Sequence, residues 1–300
     1  MNRISDGLYL VDLDLPREGF RKFISSWIVR GGGGTVVMDP GPASTYHFLR
    51  GALDELGVSK IDLLLLTHVH IDHAGAAGHL VSDFPGTRVH CHRRGIAHVT
   101  DPSRLWEGSR KVLGRLAEEY GPIPPVPPEL IMTDPPAEAC GMPLREYETP
   151  GHAAHHVSYE IGNLLFAGEA AGIYLDTGSG FYLRPATPPV FDYGSFRSSL
   201  ELIEKSEAET LCFGHYGYSN SPAAVFTAAR EQMDLWMRII GERMDTGKPF
   251  DPVLVRDELC AVDPVLTGLN ELPGDIRARE LHFMLNSIKG IQGYLEGTRR

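Results

Sequence analysis

The chain is poor in cysteine, and the four it has, Cys91, Cys140, Cys212 and Cys260, stand far apart with no Cys-x-x-Cys spacing. A thiolate metal knuckle and a dithiol redox motif are therefore excluded. Buried free thiols in a reducing compartment are the expectation, in preference to disulfides. No stretch reaches the roughly 18 apolar residues that a membrane span needs, and Met1-Asn2-Arg3-Ile4-Ser5-Asp6-Gly7 lacks an apolar leader core. A cytoplasmic protein with no membrane partner is expected. A basic tract is also lacking: acidic residues outnumber basic ones 39 to 28, for a net charge of -11, which disfavours nucleic acid as a partner. No internal repeat appears, and the Pro-rich run 121–128 is the one biased segment.

What the chain does have is histidine, 13 in all. Scattered histidines are ordinarily solvated or satisfied in a core, but Thr67 to His73 reads THVHIDH directly after the apolar run Ile61 to Leu66. If strand geometry persists, His68 and His70 emerge on one face. Asp72 and His73 then fall where Ala74-Gly75-Ala76-Ala77 can begin a helix. Three imidazoles and a carboxylate gathered at the end of a buried strand carry desolvation and like-charge costs unless something binds them. The donor set suits a borderline divalent metal.

The same form recurs further along. Leu144 to Glu148 alternates as a strand and runs into TPGH, ending at His152. Val157 to Ile161 and Leu164 to Ala167 flank Gly162-Asn163, a hairpin signal, and the second strand ends at Glu169. Thr210 to Phe213 is a short buried strand that ends at His215. Each of these three metal-type side chains stands beside a glycine, which lets backbone approach a site closely.

The remaining elements frame this set. Ser26 to Val29 and Thr35 to Met38 flank Gly31 to Gly34 as a hairpin, and the second strand ends at Asp39, either a support for a metal site or a turn cap. Tyr46 to Leu56 has helical spacing. Trp106 to Tyr120 reads as one helix inside a loose insert, 94–136, expected to act as a lid or pocket wall. Helices are expected over Pro222 to Met244 and Ile276 to Leu295, where a Met and aromatic stripe reads as core packing. Two units follow: residues 1–220 as a sheet-and-helix domain and 221–300 as a helical C-terminal extension packed on it. The apolar faces of that extension leave a homodimer open.

Taken in order, the set HxHxDH, then a single His, an acidic residue and a final His, resembles the metallo-β-lactamase superfamily from Ile4 to about Gly217. The resemblance implies an α/β fold, a four-layer αβ/βα sandwich with metals at the edge between two sheets. It implies that His68, His70 and His152 bind one ion while Asp72, His73 and His215 bind another, with Glu169 bridging. Family members usually carry Asp at the bridging position, so Glu169 departs from the pattern by one methylene. His156 falls where relatives have a second His and is expected to brace the site through hydrogen bonds. His155 has no transferable role.

Two divalent ions, with zinc favoured and iron or manganese also compatible, would share a water and lower its pKa towards neutrality. The expected activity is a metal-dependent hydrolase using a bridging hydroxide on a small-molecule ester, thioester or lactone, with Asp72 orienting the nucleophile. Tyr216, next to His215, is a candidate oxyanion donor, and Tyr174, Tyr182 and Arg184 in the loop 173–191 are candidate pocket residues; for each Tyr a buried ring with a satisfied hydroxyl is the plainer reading. Competing readings are a phosphodiesterase of the same fold and a non-catalytic or redox protein holding one metal.

Overall fold

A computed structural model describes residues 1–247 and 249–298; Lys248, Arg299 and Arg300, which fall in the expected C-terminal extension, lie outside the described residues. The first sheet takes seven strands in chain order, β1 (Asn2–Ser5), β2 (Leu8–Asp12), β3 (Ser25–Gly31), β4 (Gly34–Met38), β5 (Leu63–Leu65), β6 (Arg88–His90) and β7 (Ile131–Met132). Its first four strands pair antiparallel, then β4, β5, β6 and β7 run parallel. The parallel strands need crossovers, and these are α1 (Tyr46–Glu55), α2 (Ile71–Ala74), α3 (Ala77–Asp83) and the insert helices α4 (Ile96–Thr100), α5 (Ser103–Leu113) and α6 (Arg115–Tyr120).

The second sheet contains β8 (Glu138–Ala139), β9 (Met142–Glu148), β10 (Val157–Ile161) and β11 (Leu164–Gly168). A separate ribbon follows, β12 (Ile173–Asp176) with β13 (Phe181–Arg184), then α7 (Tyr193–Ile203). Strands β14 (Thr210–Phe213) and β15 (Tyr218–Ser219) complete the sheet in the order β15-β14-β11-β10-β9-β8. The chain ends in α8 (Pro222–Met244), α9 (Pro252–Val262) and α10 (Gly274–Thr298).

Three cores make four layers. Leu10, Trp27, Met38, Leu65, Tyr159 and Phe166 fill the space between the sheets. On the outer face of the first sheet Val37, Leu49, Leu53, Leu64, Leu80 and Val89 pack the helices of the N-terminal half. Outside the second sheet Leu165, Leu211 and Phe213 share one core with Phe196, Trp236 and Met284, so α7, α8 and α10 bury their apolar sides there. This is an αβ/βα sandwich with C-terminal helices.

Differences from the sequence reading are local. The single helix expected over Trp106 to Tyr120 is two, because Gly114 takes φ +56 and breaks the turn between α5 and α6. Helix α5 buries no residue, whereas α6 buries Ala117 and Tyr120, so the insert is anchored by its second half. The helix α9 was not legible, since its apolar residues do not mark one face: it buries Val255 and Leu259 but exposes Val253, Leu254 and Val262. Among the described residues no helix is long and apolar enough to cross a membrane, and the four cysteines are unpaired.

Candidate metal centre

The site lies where strand ends of the two sheets meet. Met38 pairs with Leu65 in parallel register, so the chain leaving the two strands arrives at the same edge: Asp39 directly after β4 and Thr67 two residues after β5. Asp39 takes φ +47, accepts from the Thr67 backbone N–H at 2.8 Å and from its hydroxyl at 2.6 Å. In the second sheet Gly168 pairs with Phe213, which brings Glu169 beside His215. The sheets are stitched here by the Val157 N–H to the Thr67 carbonyl at 2.7 Å and by the Trp27 indole to the Phe213 carbonyl at 2.9 Å.

His68 and His70 do not extend the strand. Backbone leaves β5 after Leu65, and His70, at φ -62 and ψ 151, begins the four-residue α2 that presents Asp72 and His73. The seven sequence-predicted donors come together. His68, His70, His152 and Glu169 form one group whose donor atoms all lie within 4.8 Å of one another, and Asp72, His73 and His215 form another. Oε2 of Glu169 is 2.8 Å from His152 Nε2 and 3.2 Å from His68 Nε2. Its Oε1 is 3.2 Å from His215 Nε2. One carboxylate thus faces both groups.

Each imidazole is oriented by what its other nitrogen touches. Nδ1 of His73 faces Asp39 Oδ2 at 3.3 Å, Nδ1 of His152 faces the Ala186 carbonyl at 3.0 Å, and Nδ1 of His215 faces the Phe23 carbonyl at 2.9 Å. An acceptor at Nδ1 holds the proton there and leaves the Nε2 lone pair for a ligand. His70 is the exception, with its Nδ1 turned inward, 3.1 Å from His152 Nε2. His156 is different again: its Nδ1 meets the Thr149 hydroxyl at 2.8 Å and its Nε2 accepts from the Glu169 backbone N–H at 3.0 Å. Both nitrogens are consumed, so it braces the backbone under Glu169.

Electrostatics show what the cluster wants. Burial pushes His68 and His70 well below the usual imidazole range, with neighbouring imidazoles adding to it. Burial opposes charge on His73 too, yet the Asp72, Asp39 and Glu169 carboxylates raise it to about 9. Burial likewise disfavours the Glu169 anion, but His152 and His215 hold its carboxyl well below the usual range. Nε2 of His68 and Nε2 of His73 are buried with no hydrogen-bond partner among the described residues. Inward-facing nitrogens without a hydrogen-bond partner, gathered around one anionic carboxylate, fit a cation with nitrogen and oxygen ligands.

Other sequence candidates are placed elsewhere. Tyr216 turns its hydroxyl to Asn2 Nδ2 at 3.3 Å, with the Lys22 ammonium 5.8 Å over its ring; it makes no hydrogen bond to the metal-type cluster among the described residues. The pocket expected over Tyr174, Tyr182 and Arg184 is core: Tyr174 stacks on Phe213 at 4.7 Å, Tyr182 is fully buried, and Arg184 is bonded to Glu280 at 2.6 Å. That ribbon contributes through its backbone, since Ala186 orients His152. It is tied to α10 by the Thr187 hydroxyl to the Ser287 carbonyl at 2.8 Å and the Ser287 hydroxyl to the Pro185 carbonyl at 2.7 Å.

Sequence reasoning missed Tyr120. Burial, then the Asp72 and Glu169 carboxylates, push its phenol well above the usual range, so a protonated hydroxyl from the insert sits in the field of the site. A tyrosine at the end of an amphipathic stretch carries no signal of that kind.

A family model for the metallo-beta-lactamase superfamily matches residues 19–215. The chain belongs to that superfamily of metal-dependent hydrolases. It is 29% identical over 189 residues, 61% of its own length and 69% of the relative's, to the metallo-beta-lactamase fold-containing protein ST1585 of Sulfurisphaera tokodaii. It is 27% identical over 239 residues, 79% of its length and 83% of the relative's, to a hydroxyacylglutathione hydrolase of Acidiphilium cryptum. The crystal structure of ST1585 superposes with a TM-score of 0.68 at 23% identity, covering 97% of this chain and 98% of that one. TTHA1429 of Thermus thermophilus, a metallo-beta-lactamase family protein, also gives 0.68, at 21% identity over 99% of this chain and 95% of its own. These superpositions establish the fold.

Proposed function

We propose that the chain is a cytoplasmic dinuclear metallo-hydrolase, zinc favoured, that cleaves a small ester, thioester or lactone. The observation that carries this reading is Glu169, whose Oε2 faces His152 and His68 and, at 3.7 Å, His73, while its Oε1 faces His215, so that one carboxylate reaches both ligand groups. The side chain, one methylene longer than the Asp that the family resemblance implies, would span the two groups. His68, His70 and His152 would hold one ion, Asp72, His73 and His215 the second, and Glu169 both. Bound there, the pair supplies a nucleophilic water at neutral pH and a Lewis acid for the carbonyl oxygen.

The protein's own residues do the rest. Asp72, with a side chain 20% exposed, is the accessible carboxylate of the set; it orients the incoming water and accepts its proton at a carboxylate oxygen. His68 and His73, fully buried, exclude bulk solvent from the inner side. Thioesters head the substrate list because hydroxyacylglutathione hydrolases are similar over most of both chains.

Metal analysis together with a hydrolysis panel tests the proposal. Two ions per chain and turnover of a thioester, ester or lactone are expected. A protein holding two ions that leaves ester, thioester, lactone, lactam and phosphodiester substrates intact would overturn it; one ion per chain would remove the dinuclear part.

A further inference from the structure

Helix α10 supplies none of the seven donors of the metal centre, yet it holds the backbone behind two of them. Nδ1 of His215 faces the Phe23 carbonyl at 2.9 Å, and Nδ1 of His152 faces the Ala186 carbonyl at 3.0 Å. Neither Phe23 nor Ala186 lies in a strand. A carbonyl on an untethered loop would let its imidazole swing, and the direction of the ligand lone pair with it.

The first segment is held between α10 and β2. Arg279, 5% exposed, donates through Nη1 to the Gly19 carbonyl at 2.6 Å and the Arg21 carbonyl at 2.9 Å. Its guanidinium also lies 4.4 Å over the Phe23 ring, whose centre is 4.6 Å from that of the His215 ring. One turn earlier on the helix, Asp275 takes Arg21 through two bonds of 2.9 Å. From β2, Asp12 accepts the Lys22 N–H, 3.1 Å from each oxygen. Between these grips Lys22 has φ +48, a left-handed conformation that a lysine keeps only where its surroundings over-determine it. Ile24 pairs with His215, and the Tyr216 N–H donates to the Phe23 carbonyl at 3.0 Å; α10 holds the segment that leads into this pairing.

The second segment depends on α10 more heavily, because Pro185, Pro188 and Pro189 have no N–H to give to a sheet. Ser287, buried, donates its hydroxyl to the Pro185 carbonyl at 2.7 Å, and its own carbonyl accepts the Thr187 hydroxyl at 2.8 Å. The residues on both sides of Ala186 are thus tied to one residue of the helix. Gly290, one turn on, allows this closeness, since a Cβ there would run into the Thr187 carbonyl oxygen. Ser287 lies about two turns beyond Arg279, roughly 12 Å along the axis.

We propose that α10 is the positioning element of the metal centre: Arg279, seconded by Asp275, sets the His215 imidazole, and Ser287 sets that of His152. That these two histidines serve different ions rests on the dinuclear reading; the hold on their imidazoles does not.

The test reads the Nδ1 protons of the two histidines by NMR of the zinc-loaded, isotope-labelled chain, where a proton bonded to a carbonyl exchanges slowly with water. Arg279→Met should speed exchange at His215 at least about tenfold while leaving His152 within about twofold, and Ser287→Ala should do the reverse. Because Arg279→Met removes a buried group, Asp275→Ala, which removes only the pair with Arg21, is the second arm, expected to act severalfold at His215 alone. Met284→Ala, at a core residue of α10 with no part in either set of bonds, should lower the melting temperature and move neither proton. The proposal is overturned if both protons keep wild-type exchange in the Arg279 and Ser287 variants, or if each variant loosens the two protons alike. Zinc titration of the wild type separates the two readings: one ion per chain removes the dinuclear part, and the proton test still decides the role of α10.

Discussion

Oδ2 of Asp39 lies 3.3 Å from Nδ1 of His73, and the same carboxylate accepts both the N–H and the hydroxyl of Thr67. One residue at the end of β4 thereby fixes the start of the loop that carries His68 and His70 and orients the His73 imidazole. Asp39→Ala should cost roughly 10- to 100-fold in affinity for an ion at the His73 group. Competition with a chromophoric chelator reads this directly. Unchanged affinity would reduce Asp39 to a turn residue.

Metal binding should release protons near neutral pH. In the metal-free chain His73 titrates at about 9 and is charged, and an ion takes the place of that proton. Calorimetric titrations in buffers of different ionisation enthalpy should show the release shrinking above pH 9. The sign for folding agrees: a folded pKa raised from 6.5 to about 9 stabilises the metal-free chain below 6.5 and is lost as pH rises through 9. Its melting temperature should fall over that window, and metal should abolish the fall.

Glu169 can be tested by charge and by length. Glu169→Gln keeps the shape but removes the anion between His152 and His215, and activity should drop at least about 100-fold with loss of one ion. Glu169→Asp shortens the reach to His215, now 3.2 Å. It should keep one ion firmly and hold the second more weakly, as mass spectrometry of the native protein would show. Full occupancy in both variants would mean that Glu169 does not bridge.

Burial opposes the charge of Glu280, but Arg184 and Arg279 lower its carboxyl to about 2 from 4.5. That interaction is present above 4.5 and fades as pH falls through 2. Glu280→Gln leaves two buried guanidiniums without their anion and should cost about 3 to 5 kcal/mol. Urea unfolding as a function of pH should show a shallower slope in the variant between 4.5 and 2.

Gly168 has φ +56, and a Cβ there would stand 2.4 Å from His156 Nε2. Gly168→Ala should lose about 1 to 3 kcal/mol along with metal affinity. Adding His156→Ala should recover part of the stability but not the affinity, because the bond from the Glu169 N–H is gone. Equal recovery of both would show that His156 merely fills space.

The sequence by itself determined the donor set and its family. HxHxDH is local, so its chemistry survives any detail of packing; Glu169 and His215 each follow an apolar run that reads as a buried strand, and His152 follows an alternating strand and a Thr-Pro-Gly turn. The hairpin at Gly162-Asn163 and the long helix α8 were legible for the same reason: turn chemistry and periodicity act over a few residues. Tertiary structure decided what depends on register and on distant partners. Parallel pairing of β4 with β5 brought Asp39 beside Thr67 and His73. Facing acceptors, Ala186 and Phe23 among them, chose which imidazole nitrogen points inward. Tyr216 follows His215 in sequence but turns its hydroxyl to Asn2, since neighbours on an extended chain face opposite ways. Arg184 left the expected pocket for Glu280, 96 residues away. No local pattern announces such a partner, because the free energy of a buried charge is set by what the whole fold brings beside it.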